Sequence, residues 1–135
     1  MAVRVVARRR SGFAHEVEIE GGHTLVIDER SSEGGNDEGP SPTRAVVAAL
    51  AACTAITCEM YADRKGWDLG KVEVEVDVTY GRASSLEELA VTLRIPVPLD
   101  HEQRQKLLVI ASRCPVHRAL TGDTRVTISD RIESG

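Results

Sequence analysis

One helix-forming segment, residues 42–65, constrains the fold more than any other feature of the chain. It opens on Ser41 and Pro42, a helix-start pattern in which Ser caps the first turn and Pro takes the first helical position, where no N–H is needed. No further Gly or Pro occurs until Gly66, a natural C-terminal stop. Residues 45–56 are apolar on nearly every side, so we expect this helix to be buried all round. A chain of 135 residues cannot readily provide that cover alone, which suggests a sheet on one side and a partner subunit on the other.

The other segments read as short strands and two further helices. The clearest strand is Val72–Tyr80, where valines alternate with acids and threonine. Asp100 and Pro115 stand at helix-start positions. In chain order, the predicted elements are strands within 3–28, a loop at 29–40, the central helix at 42–65, strands within 71–97, helices at 101–113 and 115–120, and a strand at 125–129. This order predicts a single α+β domain, residues 1–135, with mostly antiparallel sheets.

The segment 29–40 is rich in Ser, Gly, Asn, Asp and Glu. Such a composition predicts a loop with no structure of its own. Its length would suit a lid over a site or an arm that spans two subunits.

Composition and charge exclude several classes of function. The net charge is −4 and aromatic residues make up 3% of the chain, whereas nucleic-acid binding needs a basic surface and aromatic platforms for bases. The basic run Arg8–Arg10 is interpreted as a solvated strand end. No stretch approaches the roughly 18 uninterrupted apolar residues of a membrane helix, and the N-terminus lacks the apolar core of a secretory signal. Three cysteines disfavour a disulfide framework, so we expect a cytoplasmic protein without nucleic-acid or membrane partners.

Two cysteines occupy suggestive positions. Cys114 precedes Pro115 at a predicted helix start, where free backbone N–H groups and the helix dipole favour a thiolate. The reactive and the structural interpretation of this residue are equally supported. Cys53 lies inside the apolar helix, where no such help exists, and that position is more typical of a buried small hydrophobe.

A metal site is a third interpretation of the cysteines. Cys53, Cys114 and His117 could supply three ligands. Cys58 is five residues after Cys53, which turns its side chain by roughly 140° around the helix and away from that of Cys53. The chain contains no CxxC pair, so a metal role ranks below a thiol role.

Three segments together resemble the OsmC/Ohr family. Residues 39–43 and 48–57 look like the start and middle of the central helix of OsmC-like proteins, and residues 113–120 look like their second cysteine motif. The order and the separation of the motifs match those of the family, as does the strand pattern along nearly the whole chain. The resemblance implies an α+β fold of the OsmC type, an intertwined homodimer in which mostly antiparallel sheets wrap around long central helices.

The resemblance also implies a chemistry, the reduction of organic hydroperoxides by a thiol pair. Cys53 would attack the peroxide and become a sulfenic acid, and Cys114 would resolve it as an intramolecular disulfide. A dithiol reductant, lipoyl- or thioredoxin-like, would restore both thiols, with no metal or flavin cofactor. An arginine activates the thiol in this family, and Arg10 matches that position, with Arg9 or Arg8 as substitutes.

One position departs from the family. Hydroperoxide-reducing members carry a glutamate on the first turn of the central helix, where it holds the arginine, and the matching residue here is Arg44. Arg44 could itself serve Cys53, although the two lie about 13 Å apart along the helix axis. Alternatively, Asp37 or Glu38 could replace the missing acid. If neither holds, the alternative is an OsmC-fold dimer that binds a small apolar or thiol-bearing ligand and has little peroxidase activity.

Overall fold

The structure is a computed structural model, and it describes residues 2–133. These residues form two compact units built from interleaved segments. The first unit comprises the chain up to Ala49 together with Val76–Val91, and the second comprises Leu50–Glu75 together with the chain from Thr92 onward. The single domain inferred from chain length stays a prediction.

The first unit contains a three-stranded antiparallel sheet in the order β1-β2-β3. Its strands are β1 (Val5–Ser11), β2 (Ala14–Ile19) and β3 (His23–Ile27). The register of β1 on β2 shifts between Arg9, which pairs with His15, and Ser11, which pairs with Ala14. This shift leaves Arg10 as the extra residue of a β-bulge, a feature that bends a strand and redirects a side chain.

The loop after β3 is more ordered than its composition predicts. A short 3-10 turn covers Ser31–Glu33, and the buried carboxylate of Asp28 organises the chain around it. Asp28 accepts backbone N–H groups from Glu29 at 2.7 Å, Glu38 at 3.1 Å and Asn36 at 3.2 Å. Residues 29–40 form a loop, as predicted, with one short 3-10 turn and no strand or α-helix. Its composition did not indicate that one buried carboxylate would accept three of its backbone N–H groups.

Helix α1 spans Pro42–Lys65, the predicted bounds. Ser41 begins it: its carbonyl accepts the N–H of Ala45 at 2.9 Å and its hydroxyl lies 3.4 Å from the N–H of Arg44. The buried residues of α1 follow one another at intervals of four and form a single stripe along the helix: Leu50, Thr54, Cys58 and Ala62. In the second unit this stripe leads into a core of Cys58, Ala62, Leu69 and Leu107.

The rest of α1 is at most partly buried by the described chain. Ile56 is 53% exposed and Met60 is 56% exposed. The expected cover on all sides is therefore incomplete among residues 2–133. Over an 18-residue window its mean hydropathy is 1.7, so by length and composition α1 could also cross a membrane. The sequence criterion missed this because it required an uninterrupted apolar run, whereas isolated threonines lower the mean hydropathy only slightly.

Strands β4 (Glu73–Tyr80) and β5 (Leu86–Arg94) form a second, two-stranded sheet. A tight turn over Arg82–Ser84 joins the two strands. The N–H of Gly81 donates a hydrogen bond to the carbonyl of Ser85 at 2.9 Å across this turn. The alternation that predicted β4 is kept in its burial, since half-buried valines alternate with exposed acids.

The C-terminal helices are α2 (His101–Ala111) and α3 (Pro115–Arg118). Asp100 and Gln103 form a capping box at the start of α2. Both helices end two residues before their predicted ends, because Ser112 and Arg113 form a turn and α3 passes into a wide turn over Ala119–Asp123.

No strand is present at 125–129, where the sequence predicted one. The apolar residues of that alternation are open to solvent: Val126 is 80% exposed and Ile128 is 95% exposed. Alternation fixes which side chains share a face, but a strand also needs a hydrogen-bonded neighbour, and the described chain offers none to this segment.

Candidate thiol site

Cys53 lies on α1, one residue before the buried Thr54, and its side chain is half-buried. Its sulfur is 4.0 Å from the hydroxyl oxygen of Thr57, one helical turn further on. An apolar helix therefore presents one accessible thiol beside one hydroxyl group. Such a thiol can meet a small molecule without unfolding of the helix.

Cys114 is fully buried and forms the N-cap of α3. Pro115 occupies the first helical position, where its fixed φ suits the helix. The sulfur of Cys114 accepts the backbone N–H of His117 at 3.5 Å, and its carbonyl accepts the N–H of Arg118 at 3.0 Å. A helix therefore starts at Pro115, as predicted, and the sulfur of Cys114 is its capping group.

The thiol of Cys114 also interacts with that of Cys53. Burial raises the pKa of Cys114 above its usual value, and a hydrogen bond with Cys53 raises it further. The backbone N–H groups of His117 and Val116 lower this pKa, as expected at a helix start, but they do not prevail. Cys114 is therefore a protonated thiol at neutral pH rather than the thiolate that the helix start alone favoured.

Cys58 occupies a different environment. It is fully buried in the core of the second unit, and its thiol donates to the carbonyl oxygen of Leu107 at 3.8 Å. Burial, together with the nearby charges of Glu59 and Cys114, raises the pKa of Cys58 to about 11. Because the thiolate is the reactive form, Cys58 is the inert cysteine of the three.

The three arginines of the basic run differ in their partners. Arg8 forms an ion pair with Glu18 at 2.6 Å, and the Nε of Arg9 donates to the carbonyl of Gly12 at 2.7 Å. Arg10, at the bulge of β1, forms no ion pair within 4.0 Å among residues 2–133. Arg10 belongs to the first unit and the thiols to the second, and activation of Cys53 by Arg10 stays a prediction.

Arg44 has a partner that the sequence did not indicate, Tyr80 at the end of β4. The Tyr80 hydroxyl lies 3.2 Å from the hydroxyl of Thr43. This contact is the largest cause of a lowered pKa at Tyr80; burial opposes it, and a hydrogen bond from Arg44 lowers the pKa further. These groups are some 37 residues apart in the sequence, and no local pattern could have joined them. The carboxylates of Asp37 and Glu38 form no ion pair with any described arginine.

The metal interpretation finds no support in the side-chain positions. Within residues 2–133, no three His, Cys, Asp or Glu side chains lie together in an arrangement that could hold a metal ion. Cys53, Cys114 and His117 therefore do not form the ligand set considered above. The backbone N–H of His117 bonds to the sulfur of Cys114, which is a capping contact.

A largely apolar cleft of about 470 Å³ lies in the first unit. Its apolar lining is Ala7, Phe13, Val17, Ile27 and Pro42. Phe13 is 52% exposed there, an unusual exposure for the one phenylalanine of the chain. The cleft could hold a small apolar group.

Comparison with known proteins agrees with this architecture. The family model described as OsmC-like protein matches residues 34–129. An uncharacterized protein of Haloferax volcanii is 26% identical over 120 residues, which cover 87% of this chain and 86% of that protein.

Solved structures give the same result for the fold. An OsmC-like protein from Mycoplasma pneumoniae matches with a TM-score of 0.77 and 19% identity, covering 91% of this chain and 89% of that chain. An organic hydroperoxide resistance protein from Legionella pneumophila matches with a TM-score of 0.62 and 23% identity, covering 89% and 90%. At these identities the likeness establishes the α+β fold with antiparallel sheets.

Proposed function

The chain belongs to the OsmC-like protein family, and on that premise we propose that it is a thiol-dependent peroxidase for organic hydroperoxides. The observation that carries the proposal is that Cys53 lies close enough to Cys114 to raise the pKa of its thiol. A peroxidatic cysteine needs an accessible sulfur and a resolving thiol within reach. Cys53 is half-buried and reachable, while Cys114 is buried against it.

In the first step the Cys53 thiolate attacks the terminal oxygen of the hydroperoxide. A sulfur–oxygen bond forms and the oxygen–oxygen bond breaks, so the alkoxide leaves and takes a proton to become the alcohol. Cys53 is then a sulfenic acid, oxidised by two electrons.

In the second step Cys114 attacks the sulfur of the sulfenic acid. A disulfide forms and water leaves, carrying the thiol proton of Cys114. The raised pKa of Cys114 suits this order, because the resolving thiol stays protonated until the sulfenic acid is present. A dithiol reductant, lipoyl- or thioredoxin-like, returns two electrons and two protons to the pair.

Arg10 is the proposed activator of Cys53. A cation near a thiol lowers its pKa and so raises the thiolate fraction at neutral pH. Of the basic run, Arg8 and Arg9 are engaged with Glu18 and Gly12, which leaves the bulge residue Arg10 as the candidate.

The proposed working form is a homodimer in the cytoplasm. The outward face of α1, with Ile56 and Met60, needs apolar cover, and a second copy would supply it. The unpaired residues 125–129 would gain a neighbouring strand in the same assembly. Three free cysteines suit a reducing compartment.

A Cys53→Ser variant tests the peroxidase proposal. With cumene hydroperoxide and a dithiol reductant, we expect the variant to lose turnover, while a Cys58→Ser variant keeps it. A Cys53→Ser variant that reduces the peroxide at the rate of the unmodified protein would refute the assignment.

A second candidate function is the binding of a small apolar or thiol-bearing ligand with little peroxidase activity. The apolar cleft of about 470 Å³ favours this function. Arg44 also favours it, because the hydroperoxide-reducing members that the chain resembles carry a glutamate at the matching position. Native mass spectrometry of the purified protein distinguishes the two. A co-purified ligand together with absent turnover supports binding, whereas rapid turnover with an empty protein supports the peroxidase.

A further inference from the structure

We propose that a cleft at the start of α1, in the first unit, binds the carboxylate group of a small molecule through Arg44, Arg30 and the hydroxyl of Tyr80. The cleft has a volume of about 410 Å³. It is separate from the apolar cleft of the same unit, although both touch Glu29 and Pro42. The proposal does not depend on the thiol pair and goes beyond the peroxidase function.

Arg44 and Arg30 line the same cleft as Tyr80. The hydroxyl of Thr43 lowers the pKa of Tyr80, burial opposes this effect, and a hydrogen bond from Arg44 together with the charges of Arg44 and Arg30 lowers the pKa further. Neither arginine forms an ion pair within 4.0 Å in the described part of the chain, so N–H donors of both remain for a ligand.

The helix start adds further donors. The positive end of the dipole of the 24-residue helix α1 lies at this cleft, and the first turn contains no acid. The N–H of Thr43 has no partner within the helix, as is usual in a first turn. Helices favour anions at this end and disfavour cations. Arg44 is therefore unfavourable for the isolated helix, because its positive charge lies at the positive end of the dipole. An anion bound between the helix start and the guanidinium group would be attracted by both.

The charges of the cleft select the kind of anion. Glu29 and Glu33 also line it, so two carboxylates stand beside two arginines and the net charge is near zero. A phosphate dianion would meet those two acids. A single carboxylate carries less charge and still accepts two parallel N–H bonds from one guanidinium. The hydroxyls of Tyr80 and Ser84 are available as further donors.

Titration of the full-length protein with hexanoate, followed by the backbone amide signals of Thr43, Arg44 and Ser84 in NMR spectra, tests the proposal. We expect saturable shifts at these residues and none with hexanamide, which has the same chain without the charge. An Arg44→Ala variant should bind about tenfold more weakly, because it loses a charge-assisted hydrogen bond. An Arg44→Lys variant should recover part of the affinity.

Arg104→Ala is the matched control, since Arg104 is an exposed arginine on α2 outside the cleft. It should bind hexanoate like the unmodified protein. Equal binding of hexanamide, unchanged affinity in both Arg44→Ala and Arg30→Ala, or tighter binding of inorganic phosphate than of hexanoate would each overturn the assignment. Because no turnover is measured, a failed peroxidase assay leaves this result unaffected.

Discussion

Cys53 raises the pKa of the neighbouring thiol of Cys114, and the two sulfurs differ in exposure, because Cys114 is fully buried and Cys53 is half-exposed. In the proposed mechanism this difference gives the two thiols different roles. The accessible sulfur of Cys53 would meet a peroxide first, and the buried sulfur of Cys114 would act only on its neighbour. The third cysteine, Cys58, is excluded from this exchange by its own burial and its contact with Leu107.

Thiol titration should show the different roles of Cys53 and Cys114 directly. After one equivalent of cumene hydroperoxide, we expect the loss of two thiols per chain without a cross-link between chains, because Cys53 and Cys114 form an internal disulfide. In a Cys114→Ser variant only one thiol should be lost, since the sulfenic acid on Cys53 has no resolving partner. Loss of Cys58 in either protein would contradict the pairing.

Alkylation of Cys58 should require a higher pH than alkylation of an ordinary thiol. With a pKa of about 11, roughly one molecule in a thousand carries the thiolate at pH 8, so iodoacetamide should leave Cys58 unmodified in the folded protein. Its rate should rise up to about pH 11. Mass spectrometry of peptides reports the site, and denatured protein is the control. Fast labelling of Cys58 at pH 8 in the folded state would contradict its burial.

The same group links stability to alkaline pH. The pKa of Cys58 is raised in the folded state, so its contribution is complete below the ordinary value of 9.0 and is lost as the pH rises towards about 11. Urea unfolding between these values should show a decline in stability that is smaller in a Cys58→Ala variant, which keeps only the contribution of the raised pKa of Cys114. A parallel decline in both proteins would assign the effect to other groups.

Two adjacent leucines on α2 test the core. Leu107 is fully buried against Cys58 and Ala62, whereas Leu108 is 54% exposed. Leu107→Ala should lower the free energy of unfolding by about 2–5 kcal/mol, and Leu108→Ala by less than about 0.5 kcal/mol. Urea titrations of both variants measure the difference. Equal losses would mean that Leu108 is also covered in solution.

Arg10 and Arg8 provide a matched pair for the activation of Cys53. Arg10→Ala should lower kcat/KM for cumene hydroperoxide roughly 10- to 100-fold, because the variant loses the cation proposed to stabilise the negative charge of the attacking sulfur. Arg8→Ala removes only an exposed ion pair with Glu18 and should leave the rate unchanged. A larger effect at Arg8 would move the activating role there.

The outward face of α1 makes a prediction about assembly. Replacing Ile56 and Met60 together by Asp should convert a dimer to a monomer in light-scattering measurements, because two charges would enter an apolar interface. Leu108→Asp is the control, a leucine of similar exposure on another helix. A dimer that survives the double substitution would exclude this face as the interface.

Local signals predicted much of the fold. Ser41-Pro42 and Gly66 fixed the bounds of α1, since caps and helix breakers act over a few residues. The alternation of valines likewise located β4. The strand expected at 125–129 is missing because pairing needs a neighbour, and residues 29–40 are ordered because Asp28 accepts three of their N–H groups. Neither feature can be predicted from the local sequence.

The candidate site was predictable in part. Family resemblance pointed to Cys53 and Cys114 as a thiol pair, and their role stays a prediction. The helix start at Cys114 indicated a thiolate, whereas burial raises the pKa of this thiol. Local pattern gives the sign of the helix dipole but not the desolvation of a particular sulfur. The contact of Arg44 with Tyr80 joins distant parts of the chain and could not be read from either residue.

The buried residues of α1 are spaced four apart and so lie on one side of the helix, which leaves a second, exposed side. Substitutions on the two sides should have different effects. Leu50, Thr54, Cys58 and Ala62 are held by the chain itself, so substitutions there should appear as folding defects. Ile56 and Met60 are more than half exposed in the described part of the chain, so substitutions there should leave the fold intact and appear only on dilution, where association becomes limiting. A single helix can thereby acquire mutations of two kinds, one recognised by heating the protein and the other by lowering its concentration.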